Sequence, residues 1–193
     1  TVDGRGSKGA LHLYNKFHME HPSNMFVLEY ASRPPLAKIF YEDVLMAAFY
    51  YGYPILIENN KYGIARYFES RGYDGYLMGR PRHLSSPNAK VNVKTKGIPS
   101  NSQEVIQAHA HAIESYIHDH VGFNSETGES GNMYFNETLE DWIGFKIDNR
   151  TKFDLTISSG LCLLAAQKVN KKKKKSDFSE RKFFRRYKPI QSE

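Results

Sequence analysis

Pro54-Ile55-Leu56-Ile57-Glu58-Asn59-Asn60 is the stretch on which the reading of this chain turns. Ile55-Leu56-Ile57 is a short, continuous apolar run between two segments of helical character. A strand entered from one helix and left into another is covered on both faces, so the run reads as a central parallel strand. It ends on Glu58, a carboxylate placed where the chain leaves the core. In open α/β sheets, ligands bind at the carboxyl ends of strands, where side chains emerge into a crevice.

Working outward, residues 36–51 follow Pro34-Pro35 and carry Ile39, Phe40, Val44, Met46, Ala47 and Tyr50 at helical spacing, with Gly52 as the stop. Before them, residues 10–18 alternate apolar and polar, and residues 24–30 read as a second strand. His21-Pro22-Ser23 between them is turn chemistry, so a hairpin is expected. On the other side, Asn59 or Asn60 is expected to cap a helix over about residues 62–71, ended by Gly72. Residues 76–78 read as a short strand and 79–101 as loop. Asn101 with Glu104 resembles a capping box for a helix reaching His120. Residues 121–135 are rich in Gly and Ser and are expected to be mobile. Asn136 is expected to cap a short helix over 137–145, and Asn149 or Thr151 to start a last helix reaching about Val169. A hairpin followed by strand–helix alternation defines an α/β class.

The 193 residues are 40% hydrophobic and 25% charged, ordinary for one globular domain and unlike a disordered chain. Apolar runs such as residues 46–51 fall far short of the ~20 that a membrane span needs. Thr1 opens into polar sequence with no signal-peptide pattern, so a non-secreted fragment or processed chain is expected. The single cysteine, Cys162, excludes an internal disulfide and a Cys-rich zinc site, and its apolar surroundings suggest a buried structural thiol. Residues 171–193 hold ten of the 27 Lys and Arg, and the first 170 residues are together one charge negative although the whole chain is +6. The sequence thus divides into a body, 1–170, and a basic tail, 171–193. A cationic tail on a near-neutral body suits a polyanionic partner.

Three acids stand out. Glu58 ends the apolar strand; the other reading is a solvated strand-end glutamate. Asp154 falls in the first turn of the last helix, where an acid also complements the helix dipole. Asp3, in Thr1-Val2-Asp3, looks like the end of a strand, although the same pattern fits a frayed terminus. A cluster of carboxylates without Cys or His favours a hard cation, Mg²⁺ or Mn²⁺, over zinc. His109, His111, His118 and His120 share a helix without an acid-rich context and read as structural or solvent-facing. Gly4-Arg5-Gly6-Ser7-Lys8-Gly9 lacks the spacing of a P-loop. Lys90, Lys94 and Lys96 are candidate phosphate contacts, or ordinary surface lysines. In the tail, Lys171, Lys172 and Lys173 lead toward Phe183-Phe184-Arg185-Arg186-Tyr187. Interleaved aromatic and basic residues suit nucleic acid or a docking partner.

Several stretches together carry a resemblance: Tyr41-Glu42-Asp43, Tyr50-Tyr51-Gly52, Ile55-Leu56-Ile57-Glu58-Asn59-Asn60, Gly63, Tyr67-Phe68, Arg80-Pro81, Lys96-Gly97-Ile98, Asn149-Arg150-Thr151-Lys152-Phe153-Asp154 and Phe183-Phe184-Arg185-Arg186-Tyr187. Over nearly its whole length the chain resembles the C-terminal nuclease domain of the large terminase subunit of tailed bacteriophages. The resemblance implies an RNase H-like (RuvC-type) fold: a mixed sheet with an antiparallel hairpin at the start, flanked by helices. It implies a metal-dependent endonuclease that cleaves double-stranded DNA during viral genome packaging in the host cytoplasm. Asp3, Glu58 and Asp154 would be its catalytic carboxylates, holding two Mg²⁺ or Mn²⁺ ions. Lys90, Lys94, Lys96, the tail lysines and Arg185 and Arg186 would be its DNA contacts. The implied partners are an ATPase motor domain, the portal and the small terminase subunit, with no membrane. One departure is that Asp3 is followed by Gly-Arg-Gly rather than a longer turn; another is that the family's ATPase motor is missing from these residues. Other readings are an RNase H-like nuclease of the resolvase or transposase type, and a non-catalytic DNA-binding packaging module. The latter has no need of converging carboxylates, which repel phosphate.

Overall fold

The structure, a computed structural model, describes residues 8–16, 19, 23–60, 62–84, 95–99, 102–122 and 133–167. Strand β1 (Gly9–Asn15) pairs antiparallel with β2 (Met25–Ser32), Leu11 opposite Tyr30 and His12 opposite Glu29, with a bulge between Leu13 and Tyr14. The expected hairpin is present, although residues 21 and 22 of its turn lie outside the described residues. Helix α1 (Ala37–Tyr51) follows and closes on Gly52 in the left-handed conformation.

Residues 55–58 then run extended. Ile55 bridges Leu77 and Glu58 bridges Ile98, both in parallel sense. Leu56 packs into a core built with Val105, Ile113, Leu161 and Leu164, whereas its neighbour Ile57 packs into a second core with Val44, Leu45 and Phe68. This is the period-two alternation of a strand buried on both faces. The run is thus covered on both faces as expected, but among the described residues its backbone is bridged along one edge only, by isolated bridges in place of a ladder, so a central place in a sheet is not observed. The protein is layered: α1 and α2 (Gly63–Ser70) lie on one side of the strands, and α3 (Gln103–Tyr116) and α5 (Asp154–Ala166) on the other. It is a mixed α/β protein with five α-helices and a two-stranded antiparallel sheet among the described residues.

Helix starts differ from expectation in instructive ways. Asn59 and Asn60 do not cap α2: Asn59 donates to the Lys96 carbonyl (3.1 Å) and Asn60 to Glu58 (2.7 Å), leaving Tyr62 as an N-cap without a side-chain bond. The end of α2 is as expected. Tyr73 N donates to Phe68 O and Gly72 N to Glu69 O, the double bond of a Schellman motif. Ser102, not Asn101, caps α3 by accepting from Val105 N (3.3 Å); Asn101 lies outside the described residues. The helix ends at Tyr116 and continues to Val121 with π geometry. Helix α4 (Asn136–Gly144) begins on Asn136, with Phe135 as the flanking residue and no side-chain cap.

The last helix is the largest correction. Residues 147–152 form a separate 3₁₀ segment kinked at Asn149, and α5 starts only at Asp154. Its first amides are satisfied from another element: Asp141 on α4 accepts from Leu155 N (3.0 Å) and Thr156 N (3.4 Å). Carboxylates belong at helix N-termini, but this one arrives through tertiary contact. Helix α5 also ends at Ala166, short of Val169.

Candidate functional site

Glu58 and Asp154 come together. Both line one cavity, of about 840 Å³, that runs between β1 and residues 53–58, and the charge of Glu58 is felt at Asp154. Glu58 arrives at the end of the apolar run and Asp154 in the first turn of α5. Burial pushes the Asp154 carboxyl above the ordinary aspartate range. The Lys8 amide, donating to it at 2.6 Å, opposes that shift, while the negative charges of Asp141 and Glu58 add to it and Arg33 acts against it. Half-burial and two neighbouring acids make a site that gains by binding a cation.

The ends of the strands fix this arrangement. Glu58 is oriented by Asn60, and Asn59 beside it is buried and tied to Lys96 O. Gly97 allows the Lys96–Ile98 segment to approach. Its φ is +73°, and a Cβ there would lie 2.4 Å from the Ile57 carbonyl oxygen. Glycine is thus required twice over, by backbone conformation and by space.

Lys96 is the one candidate phosphate-binding lysine among the described residues. Its ammonium donates to the Leu77 carbonyl (3.3 Å), so it braces the strand end before it meets any ligand. Asp3, Lys90, Lys94, Lys171, Lys172, Lys173, Arg185 and Arg186 lie outside the described residues. Asp141 is the acid that sequence reading missed. It sits in Glu140-Asp141-Trp142 with no periodic signal, and only the packing of α4 against α5 brings it near Asp154.

The histidines divide as their context suggested. His109 is buried, its Nε2 within 2.9 Å of Thr156 O, and joins α3 to α5 over Gly160. His111 and His118 are solvent-facing. Cys162 donates to the His12 carbonyl (3.5 Å), and burial pushes its thiol up to about 12, in keeping with a structural role. His12, unremarked in the sequence, is wholly enclosed between Ser158 and Thr138.

A metal centre is tested by its donor set. Glu58 and Asp154 offer hard carboxylate oxygens, and a magnesium-type ion is commonly held by one or two carboxylates. Among the described residues no three His, Cys, Asp or Glu side chains form a ligand group, and Asp141 has an oxygen already engaged by two α5 amides. Glu58 and Asp154 therefore offer two carboxylates of the right chemistry, and among the described residues no third acidic, His or Cys ligand joins them. Comparison with protein-family models, with curated proteins and with solved structures gave no match. Among the described residues no helix is long and apolar enough to cross a membrane.

Proposed function

We propose that the chain is a metal-dependent DNA endonuclease of RNase H-like type, similar to the nuclease domain of the large terminase subunit of tailed phages. The observation that carries the reading is that Glu58 and Asp154, 96 residues apart in sequence, line one cavity and interact electrostatically. The parallel bridges of residues 55–58, the preceding hairpin and the small-residue face of α5 support the same fold.

In this reading Glu58, Asp154 and Asp3 hold two Mg²⁺ or Mn²⁺ ions. Divalent-metal chemistry supplies an activated water and neutralises the leaving 3′-oxygen. The protein's own part is positioning. Asn60 holds the Glu58 carboxylate, and the Lys8 amide holds that of Asp154. Burial of Asp154 raises its free energy when charged and unpaired, which strengthens its attraction for a cation. The basic tail, with Arg185 and Arg186, and Lys90 and Lys94 supply phosphate contacts. The motor, portal and small terminase subunit are the proposed partners, in the cytoplasm of an infected cell.

The test is nicking of supercoiled plasmid in Mg²⁺, in Mn²⁺ and in EDTA. Metal-dependent conversion to open-circular and linear DNA is expected. Cleavage that persists in EDTA, or DNA binding without cleavage in either metal, overturns the proposal; the second result favours a non-catalytic packaging module.

A further inference from the structure

Helix α1 is apolar on the side away from the core as well as toward it. Its 15 residues carry only three charges, Lys38, Glu42 and Asp43. Val44, Leu45 and Ala48 face inward and are buried. Ile39, Met46 and Tyr50, at spacings of seven and four, share the opposite side and are 44%, 62% and 80% exposed. Phe49, 64% exposed, stands beside them and meets Tyr73, in the turn after α2, edge to face at 6.3 Å. A surface helix places polar residues on its outer side, whereas a helix that is apolar all round belongs in a buried setting.

The patch has the size of a protein interface. The exposed fractions of Ile39, Met46, Phe49, Tyr50 and Tyr73 amount to nearly three full side chains, or about 600 Å² at about 200 Å² each. A stable interface takes about 800 Å² per partner, of which somewhat more than half is apolar. Charge narrows what covers it. On α1, α2 and the turn after it, Lys38, Arg66 and Arg71 are outnumbered by Glu42, Asp43, Glu69 and Asp74. That balance gives no cationic field to hold nucleic acid or an anionic lipid surface.

We propose that the outer face of α1 packs on the same face of a second copy, the two helices antiparallel about a two-fold axis near Met46. A two-fold interface must complement itself, and this face does so in one orientation. Its acids, Glu42 and Asp43, lie before Met46, and its aromatic residues, Phe49 and Tyr50, lie after it. Antiparallel helices lay the acidic turn of one copy on the aromatic turn of the other. Parallel helices would set the Asp43 carboxylates of the two copies against each other. Tyrosine hydroxyls already serve these acids within the chain: Tyr67 donates to Glu42 Oε2 and Tyr30 to Asp43 Oδ2. Each carboxylate has a second oxygen, to which the Tyr50 hydroxyl of the other copy can donate. The inference rests on the surface of α1 alone and stands whether or not the protein cuts DNA.

Sedimentation velocity of the full chain over a range of concentrations tests it. A monomer–dimer equilibrium is expected, with the dimer populated by about 50 µM. Met46→Glu and Tyr50→Glu, each at an exposed position and each present twice in the interface, should weaken association about a hundredfold or more while the far-ultraviolet circular dichroism stays unchanged. A chain that is monomeric at every concentration, or a dimer that withstands both substitutions, overturns the proposal. Single cysteines in a Cys162→Ala background read the orientation. Met46→Cys should cross-link to its own copy on mild oxidation, and Tyr50→Cys should not. Self-cross-linking of Tyr50→Cys, as parallel helices would give, contradicts the antiparallel arrangement. None of these readouts involves DNA or metal, so this proposal and the nuclease reading fail separately.

Discussion

Acidification should destabilise this protein through His12, by an amount that follows from its surroundings. The ring is fully enclosed. Thr138 donates its one hydroxyl proton to Glu29, so it accepts from His12 Nε2–H at 2.8 Å, and the Ser158 hydroxyl, 3.0 Å from Nδ1, donates to the ring. Both ring nitrogens are satisfied in the neutral form. The Glu29 carboxylate, 3.9 Å away, favours the charged ring, but its oxygen is already engaged by the Thr138 hydroxyl and amide. Desolvation prevails and lowers the pKa from 6.5 to about 4. Because the folded-state value lies below the unfolded one, the unfolded chain binds more protons between them. Stability is complete above about pH 6.5 and falls as pH drops toward 4. The loss is about 2 kcal/mol at pH 5 and about 3 kcal/mol once both states are protonated. For a chain of this size the pH 5 loss corresponds to a fall in Tm of roughly 4–8 °C. The assay is thermal unfolding by circular dichroism from pH 7.5 to 5, beside His12→Gln, which keeps polar atoms but cannot titrate. The wild type should lose more Tm over that interval than the variant. Parallel curves for the two would refute the reasoning.

Other consequences are as direct. Asp154→Asn should raise Tm at pH 7 without metal, because a carboxyl with a raised folded-state pKa weakens the fold once ionised; the gain should vanish below about pH 3, where both states are protonated, and thermal scans at the two pH values check it. Gly160→Ala should cost about 1–3 kcal/mol in urea unfolding, since a Cβ there would lie 2.2 Å from the His109 ring and force α3 away from α5. Deleting residues 171–193 should flatten the dependence of log K for DNA on log[salt] by about 4 to 5, if roughly half of the ten cations engage phosphates. An unaltered slope would assign the tail to a protein partner.

Much of the architecture was legible because it is written in local chemistry. The alternation before Asn15, the helical spacing after Pro35, Gly52, Gly72 and the apolar run before Glu58 each act within a few residues. Helix starts were less legible because their partners are tertiary. Asn59 and Asn60 have good capping chemistry but are drawn to Lys96 O and Glu58, while α5 takes its cap from Asp141, 13 residues before its first residue. The same distinction governs the site. Glu58 and Asp154 are marked by position, at a strand end and a helix start. His12 and Asp141 carry no such mark, since what makes each of them matter is a neighbour more than ten residues away.

The central claim is that Glu58 and Asp154 form one metal-dependent cleaving centre. The direct measurement is the rate of plasmid nicking in Mn²⁺ by Glu58→Gln, with its Tm recorded beside that of the wild type. Glutamine keeps the shape and the bond to Asn60 but removes the charge. Cleavage should fall to the level seen in EDTA while Tm is unchanged or higher. Nicking at the wild-type rate by a folded Glu58→Gln protein would contradict the account.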